Sequence, residues 1–541
     1  MAPVGLWVGA LALSGLVAVA LLVSRRRDRA GAMVGALVLA AVLIAADNWD
    51  TSRFEELRSS PLAGIAVLVG LAAIVTGLSF LFARQPAAFA LVAIAALPFR
   101  VPVELGGETA NLLVPLYVVL AAGAAAAGAR LLGPGLSVKV TGPTASKAAS
   151  RGSASKKDEP SDFDTLRSGP LGGQAATWAR RLLALSVVLY ALQAGYSDDF
   201  SQALEILCFF LAPFAVLFVL LLEVRWSPAL VRGVFAVAVV AALVFALVGF
   251  WQYGARELFW NDKVIAGNEV HSWFRVNSLF WDPNILGRYL AVTLIGLVAV
   301  VAWARRSSTA LAAAGIAAIL LVALGLTFSQ SSMVALLAGL AVLVALRWSV
   351  RWTAVGLGVL AVAVAVAILA GAPGTDFGSD SIEAETSGRA GLISGGLELA
   401  GDRPLVGYGP GAFEATFRDQ FGGGRGVSVT SHTEPITVAA EQGVIGLVVY
   451  VAFIVAALLA LIGGSRSLLR GADSSRSLEG RGLATERWPA AGSWVLSGVR
   501  VALLAGFVAM IVHSLAYAAF LTDPITWAIL AAGLALGREP A

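Results

Sequence analysis

Apolar runs of membrane length alternate with polar intervals along the whole chain. Fifteen can be marked, near residues 4–23, 30–46, 61–83, 86–98, 111–129, 181–194, 201–222, 232–252, 284–303, 309–328, 331–346, 353–371, 436–462, 499–520 and 524–537. A helix needs about 20 apolar residues to cross a hydrocarbon layer, so most of these predict spanning helices. The runs at 86–98, 181–194 and 524–537 are short, which suits re-entrant helices or helices buried within a bundle.

The polar intervals differ in kind. Residues 132–178, with SKAASRGSASKKDEPSD, and 463–498, with SRSLLRGADSSRSLEGRG, are rich in Ser, Gly and charge and predict solvated linkers. Within the first, Asp162-Phe163-Asp164 has the D-x-D form of a metal-nucleotide motif, but the surrounding composition favours a solvated segment. Gly371 to Gly443 is the longest polar interval that reads as folded. A short helix is expected from Thr386 to Ala400, with Ser387 near its cap and Arg389 in its first turn, where a cation opposes the helix dipole and a bound anion would relieve it. Gly407-Tyr408-Gly409-Pro410-Gly411 demands a tight turn. Phe413, Phe417 and Phe421 then form a helical stripe suited to packing on the bundle or on lipid. Ser431-His432-Thr433-Glu434-Pro435 stands at the mouth of the next helix, with Glu441 two turns in.

Composition fixes the class. With 58% hydrophobic and 13% charged residues and a mean hydropathy of +0.83, the chain is expected to be an all-α polytopic membrane protein of about 12–15 transmembrane helices, with a large, partly helical extracytoplasmic loop before the C-terminal helices. The single cysteine, Cys208, excludes an intrachain disulfide or a cysteine zinc site and reads as a small packing residue. The first run has no preceding basic residue and is followed by Arg25, Arg26, Arg27 and Arg29, the reverse of a cleavable signal, so it predicts a retained anchor with its start outside. In that orientation 27 of the 38 Lys and Arg fall on cytoplasmic loops, as the positive-inside rule requires. The interval 371–443 is then extracytoplasmic. The expected organisation is 1–131 N-terminal helices, 132–178 linker, 179–371 central helices with an outside loop at 253–284, 372–435 catalytic loop, and 436–541 C-terminal helices with a cytoplasmic loop at 463–498.

Candidate chemistry collects on the outside loops. Arg100, Glu104 and Glu108 lie between two early runs. Arg275 sits among Trp273, Phe274, Phe280 and Trp281, placed either to snorkel to lipid or to hold an anion. Asp282-Pro283-Asn284 reads as a helix start with Asp282 as its cap. The polar turn Thr327–Ser332 joins two runs. His432 is a candidate general base.

Four strings, RVNSLFWDPNILGRYLA, TFSQSSMVALLAGL, SGRAGLISGGLELAGDRPLVGYGPGAFEATF and SHTEPITVAAEQGVIGLVVY, resemble in content and order the O-antigen ligase and polymerase superfamily. They span Arg275 to Tyr450, about a third of the chain. The resemblance implies a bundle of about a dozen helices and transfer of a glycan from a polyprenyl-pyrophosphate-linked donor to a glycan or lipid-glycan acceptor at the outer face of the inner membrane. It also implies essential roles for Arg275, Arg389 and His432. This chain departs from the pattern by having Thr433 after the histidine, where asparagine is usual, and Ser329-Gln330-Ser331 where a Ser-Arg pair is usual.

The chemistry those residue types can perform agrees. Outside the membrane a glycosyl donor must bring its own leaving group, and a departing pyrophosphate is met well by planar guanidinium groups. Arg275 and Arg389 would take that role, and His432 would accept the acceptor hydroxyl's proton in a single, inverting displacement. Arg100, Asp282, Asn284, Glu434 and Glu441 are candidate substrate-binding or positioning residues. No metal ligand set, cofactor or nucleic-acid partner is expected; lipid is. Two other classes stay open: a flippase of lipid-linked sugars, which would carry ionisable groups along helix interiors, and a peptidoglycan-type polytopic glycosyltransferase using an outside aspartate such as Asp376, Asp380, Asp402 or Asp419.

Overall fold

The computed structural model describes residues 3–49, 61–105, 108–132, 170–270, 273–353, 355–356, 389–422, 433–479 and 493–537. They form α1 (Val4–Leu22), α2 (Arg26–Asp47), α3 (Pro61–Arg84), α4 (Pro86–Ala96), a hairpin of β1 (Val101–Leu105) and β2 (Glu108–Leu112), α5 (Val114–Leu132) and α6 (Pro170–Ala194). There follow α7 (Phe200–Leu222), α8 (Pro228–Ala255), α9 (Asp262–Val270), α10 (Pro283–Trp303), α11 (Ser307–Leu326) and α12 (Gln330–Arg347). The last elements are α13 (Arg389–Asp402), α14 (Phe413–Phe421), α15 (Glu434–Glu479), α16 (Ser493–Ser514) and α17 (Pro524–Leu536).

Eleven of these helices are long and apolar enough to cross a membrane, and α4, α5 and α17 are shorter apolar helices. Fourteen of the fifteen marked runs are thus helical; the run at 353–371 falls almost wholly outside the described residues, as do Asp162-Phe163-Asp164 and most of the 132–178 linker. The expected loop at 463–498 is instead largely helical, since α15 continues through it to Glu479 and α16 opens at Ser493, and only 480–492 lie outside the described residues. The chain is an all-α multi-pass membrane protein, with the antiparallel β1–β2 pair, Leu105 opposite Glu108, as its small non-helical addition. Helix is what an apolar spanning segment must form, because lipid offers no partner to a bare N–H or C=O.

Two boundaries moved for physical reasons. Helix α6 begins at Pro170, inside the stretch assigned to the linker, because its first turns carry Gln174 and Thr177 and escape a hydropathy reading. Helix α16 ends at Ser514, although Ala516–Phe520 is apolar. Those residues form a loop packed into protein, where the Phe520 N–H goes to the Glu434 carboxylate (3.3 Å) instead of a helical carbonyl.

The core is centred on α7, in which every residue from Ala212 to Leu222 is buried. Trp527 of α17 lies edge-on to Phe214 and Phe218 with centroids 6.4 and 6.5 Å away. A single π-turn at Leu207–Leu211 displaces the Phe209 carbonyl, which Tyr117 of α5 takes at 2.9 Å. A second cluster surrounds α10, packed by α8, α11, α12 and α16. Helix α3 is peripheral: only 6% of its apolar window is buried, which leaves its surface for lipid.

Hydrogen bonds bring one set of loops to a single end of the bundle. Asp198 N–H donates to Tyr408 O (3.1 Å), Val276 N–H to Leu326 O (3.1 Å), and Thr433 Oγ1 to Leu515 O (3.1 Å).

Candidate functional site

At this end the loop before α10 is fixed from beneath. Gln252 of α8 donates to Asn277 Oδ1 (3.2 Å) and Ser278 O (3.1 Å) and accepts from Ser278 N–H (2.7 Å), all in a buried setting. These bonds hold Ser278 at a φ of 51°, a left-handed conformation costly for a residue with a Cβ. Three residues earlier, Asn268 of α9 clamps the Arg275 main chain, accepting its N–H (2.9 Å) and donating to its carbonyl (3.0 Å). The half-buried Arg275 side chain turns inward: Nε donates to Thr327 O (3.0 Å) and Nη2 reaches Asn284 Oδ1 (3.5 Å). That direction is the opposite of snorkelling to lipid.

Asn284 Oδ1 also accepts from Ser329 Oγ (2.7 Å), the N-cap of α12. Ser329 Oγ is 3.2 Å from Ser331 Oγ and 2.8 Å from Ser332 Oγ, and both of those hydroxyls lie against His513 Nε2 of α16, at 3.3 and 3.2 Å. The polar turn seen in the sequence is therefore one side of a buried relay from His513 to the arginine. In the sequence His513 is only an ionisable residue inside the apolar run at 499–520.

Asp282 caps α10 by accepting from Asn284 N–H (2.6 Å) and hydrogen-bonds Tyr517 in the loop after α16. Burial, then the Asp282 charge, push the Tyr517 phenol well above its ordinary value, while the positive charges of Arg288 and Arg100 pull it down. Arg100 thus belongs to the same neighbourhood. One turn into α10, Arg288 pairs with Asp523 at 2.5 Å, both side chains 2% exposed, and donates to Ala519 O (3.3 Å). Asp523-Pro524 caps α17 as Asp282-Pro283 caps α10, accepting from Ile525 N–H at 2.7 Å. This repeated Asp-Pro start was a signal that could have pointed to the pair.

The start of α15 docks on the same loop. Thr433 bonds Leu515 O, and the next residue, Glu434, accepts from the N–H groups of Phe520 and Leu521. Glu441 points elsewhere, accepting from the N–H groups of Phe413 (3.2 Å) and Gly411. Two residues on, α15 breaks at Gly443, with φ 64° and ψ −167°. The chain at 404–409 fills the break: Tyr408 N–H donates to Ala440 O (3.0 Å), Gly409 N–H to Glu441 O (2.8 Å), and Val444 N–H to Pro404 O (2.8 Å). Gln193 takes the remaining carbonyl, that of Gln442, at 3.1 Å.

Helices α13 and α14 cover this junction. Leu399, Tyr408, Ala412, Phe413, Phe417 and Ala440 form their own small core, so Phe413 and Phe417 of the phenylalanine stripe pack on protein while Phe421 at its end stays exposed. Between α6, α7, α14 and α15 lies a cavity of about 460 Å³ whose polar lining includes Tyr190, Asp199, Arg418, Glu434 and Glu441.

Of the candidates read from the sequence, Arg275, Asp282, Asn284, Arg100 and Glu434 come together at the mouth of α10, and Glu441 joins Glu434 on the cavity wall. Arg389 opens α13, but its side chain lies outside the described residues; His432 lies outside them altogether. The residue beside it, Thr433, stands two bonds of one loop from Asp282: Leu515 meets Thr433 and Tyr517 meets Asp282.

Residues 315–451 match a family model described as O-antigen ligase (Wzy_C), and no curated protein matches the chain. The matched stretch holds the second part of α11, α12, the serine turn, α13, α14 and the start of α15 with its break, and leaves Arg275, Asp282 and Asn284 before it. It covers three of the four strings that carried the resemblance, and this match supports an O-antigen ligase/polymerase family assignment for a chain that is a multi-pass membrane protein.

Proposed function

We propose that the chain transfers a glycan from a polyprenyl-pyrophosphate donor to an acceptor hydroxyl at the extracytoplasmic face of the plasma membrane. The observation that carries the reading is the pair of contacts from one loop, Leu515 to Thr433 and Tyr517 to Asp282, which joins the arginine-bearing mouth of α10 to the segment containing His432. The excess of Lys and Arg on the opposite loops supports the facing.

In this mechanism the acceptor oxygen attacks the anomeric carbon as its proton passes to His432. The bond from that carbon to the pyrophosphate oxygen breaks, and the electron pair leaves on the phosphate. Arg275, with Arg389 from α13, meets the growing negative charge through paired N–H donors. Thr327 O and Asn284 hold the Arg275 fork before substrate arrives, so little reorganisation is needed. General-base help of this kind contributes about 10²–10⁴ in rate. A single displacement inverts the anomeric configuration. Ligase and polymerase differ only in the acceptor.

His432→Ala and Arg389→Ala, expressed in a strain lacking the native gene, are expected to abolish glycan transfer at normal protein level and membrane insertion. Normal transfer in both would overturn the site. In the deletion strain itself, single units without long chains indicate a polymerase, and accumulated full-length lipid-linked chains indicate a ligase.

A further inference from the structure

The opposite end of the bundle holds a second cavity, of about 510 Å³. Arg26 and Arg29 of α2, Arg130 near the end of α5, and Arg225 just past α7 line it together with Glu223. Arg29 is 2% exposed and pairs with Glu223 at 2.5 Å, and Arg130 donates to the Phe82 carbonyl of α3. The site is remote from Arg275. Helix α7 starts at the mouth end, where Ser201 donates to Asp47, and Glu223 follows its last turn. At 1.5 Å per residue, its 23 residues separate the two by about 35 Å.

Among the described residues that line it are four arginines and one glutamate, the glutamate paired with Arg29. Like charges confined among helix ends repel, and an anion entering between them relieves the repulsion. Guanidinium groups converging from three elements offer the paired donors that phosphate oxygens take best. The rest of the wall is apolar, with Met33, Pro86, Ala87 and Ala127, and it lies where the apolar runs of α2, α5 and α7 stop, at headgroup depth. A ligand there needs a phosphate beside hydrocarbon. Basic residues beside a span commonly rest on anionic lipid at the surface; here the buried Arg29–Glu223 pair sets them around a cavity.

We propose that this cavity binds the phosphate headgroup of an anionic membrane lipid, at a site separate from the glycan-transfer end. The test uses the purified full chain and native mass spectrometry in mixed micelles of phosphatidylglycerol and phosphatidylcholine. The wild-type protein is expected to retain phosphatidylglycerol selectively, and Arg26→Gln/Arg225→Gln, which leaves the Arg29–Glu223 pair intact, to bind it roughly 30-fold more weakly, at about a fivefold loss per cation near a lipid phosphate. Phosphatidylglycerol should raise the melting temperature where inorganic phosphate at equal concentration does not. Equal retention of both lipids by the wild-type chain, which requires no variant, would overturn the proposal. So would undiminished retention by the double variant, or equal protection by inorganic phosphate, which would mark a soluble anion as the ligand.

Discussion

Replacing Glu441 separates a structural role from a chemical one. Its buried carboxylate accepts from Phe413 N–H (3.2 Å) and Gly411 N–H, and so ties the GYGPG turn and the start of α14 to α15. A buried N–H left without its acceptor costs about 1–3 kcal/mol, so Glu441→Ala, which strands two, should cost about 2–6 kcal/mol locally. The segment it holds has only the small core around Phe413 and Phe417 to resist with. A whole domain is stable by about 5–15 kcal/mol, so residues 404–421 should open while the bundle stands. Trypsin cleavage after Arg418, within α14, reports that opening in proteoliposomes. Glu441→Ala is expected to become cleavable and to lose transfer. Glu441→Gln, which keeps an acceptor oxygen, should be cleaved more slowly and retain transfer. If both variants lost transfer with Arg418 fully protected, Glu441 would be acting on the chemistry; if alanine changed neither readout, the tie would contribute nothing.

Arg275→Lys keeps the charge but not the planar fork that meets Thr327 O and Asn284, and transfer should fall about 100-fold at normal protein level; a wild-type rate would remove Arg275 from the site. Arg288→Met strands Asp523 in a buried setting at a cost of about 3–5 kcal/mol, read as a lowered melting temperature. Adding Asp523→Asn, which can still cap α17, should recover much of it, and a double variant no more stable than the single would refute the pairing argument. Because Cys208 is buried, single cysteines report orientation cleanly. A membrane-impermeant maleimide should label Leu405→Cys in intact cells and Arg306→Cys only after permeabilisation, and the reverse pattern would invert the proposed facing.

The helices were legible because lipid imposes one simple rule, a run of apolar residues, on every span. The same rule misplaced the end of α16, since a hydropathy reading cannot tell Ala516–Phe520, packed in protein, from residues packed in lipid. It also hid the first turns of α6 behind Gln174 and Thr177. Arg275 and Asp282 stood out because charge at a helix mouth is rare in such a chain. The relay through Ser329, Ser331 and Ser332 to His513 did not, because it joins residues up to 182 positions apart, and no single-chain periodicity records such a meeting. The hairpin at 101–112 was equally silent, being a short polar stretch between two apolar runs.

The break in α15 is the point where the candidate site depends most on backbone. Interrupting a helix at this depth exposes carbonyls, and lipid would make each of them costly. The chain at 404–409 and Gln193 take them instead, which requires main chain to approach main chain where a Cβ would collide. At Gly443 that Cβ would stand 2.3 Å from the Leu405 carbonyl carbon and oxygen, and the φ of 64° is itself unfavourable for other residues. Gly443→Ala therefore adds about 1–2 kcal/mol of conformational strain and about 1–3 kcal/mol of overpacking. Gly443 brings no side chain to the proposed chemistry, yet the substitution should push 404–409 out of the break and release the GYGPG turn. The expected result is loss of transfer together with tryptic cleavage after Arg418, at normal membrane insertion. Full transfer in Gly443→Ala would show that α15 can close into a continuous helix without disturbing the site, and the break would then have no part in positioning it.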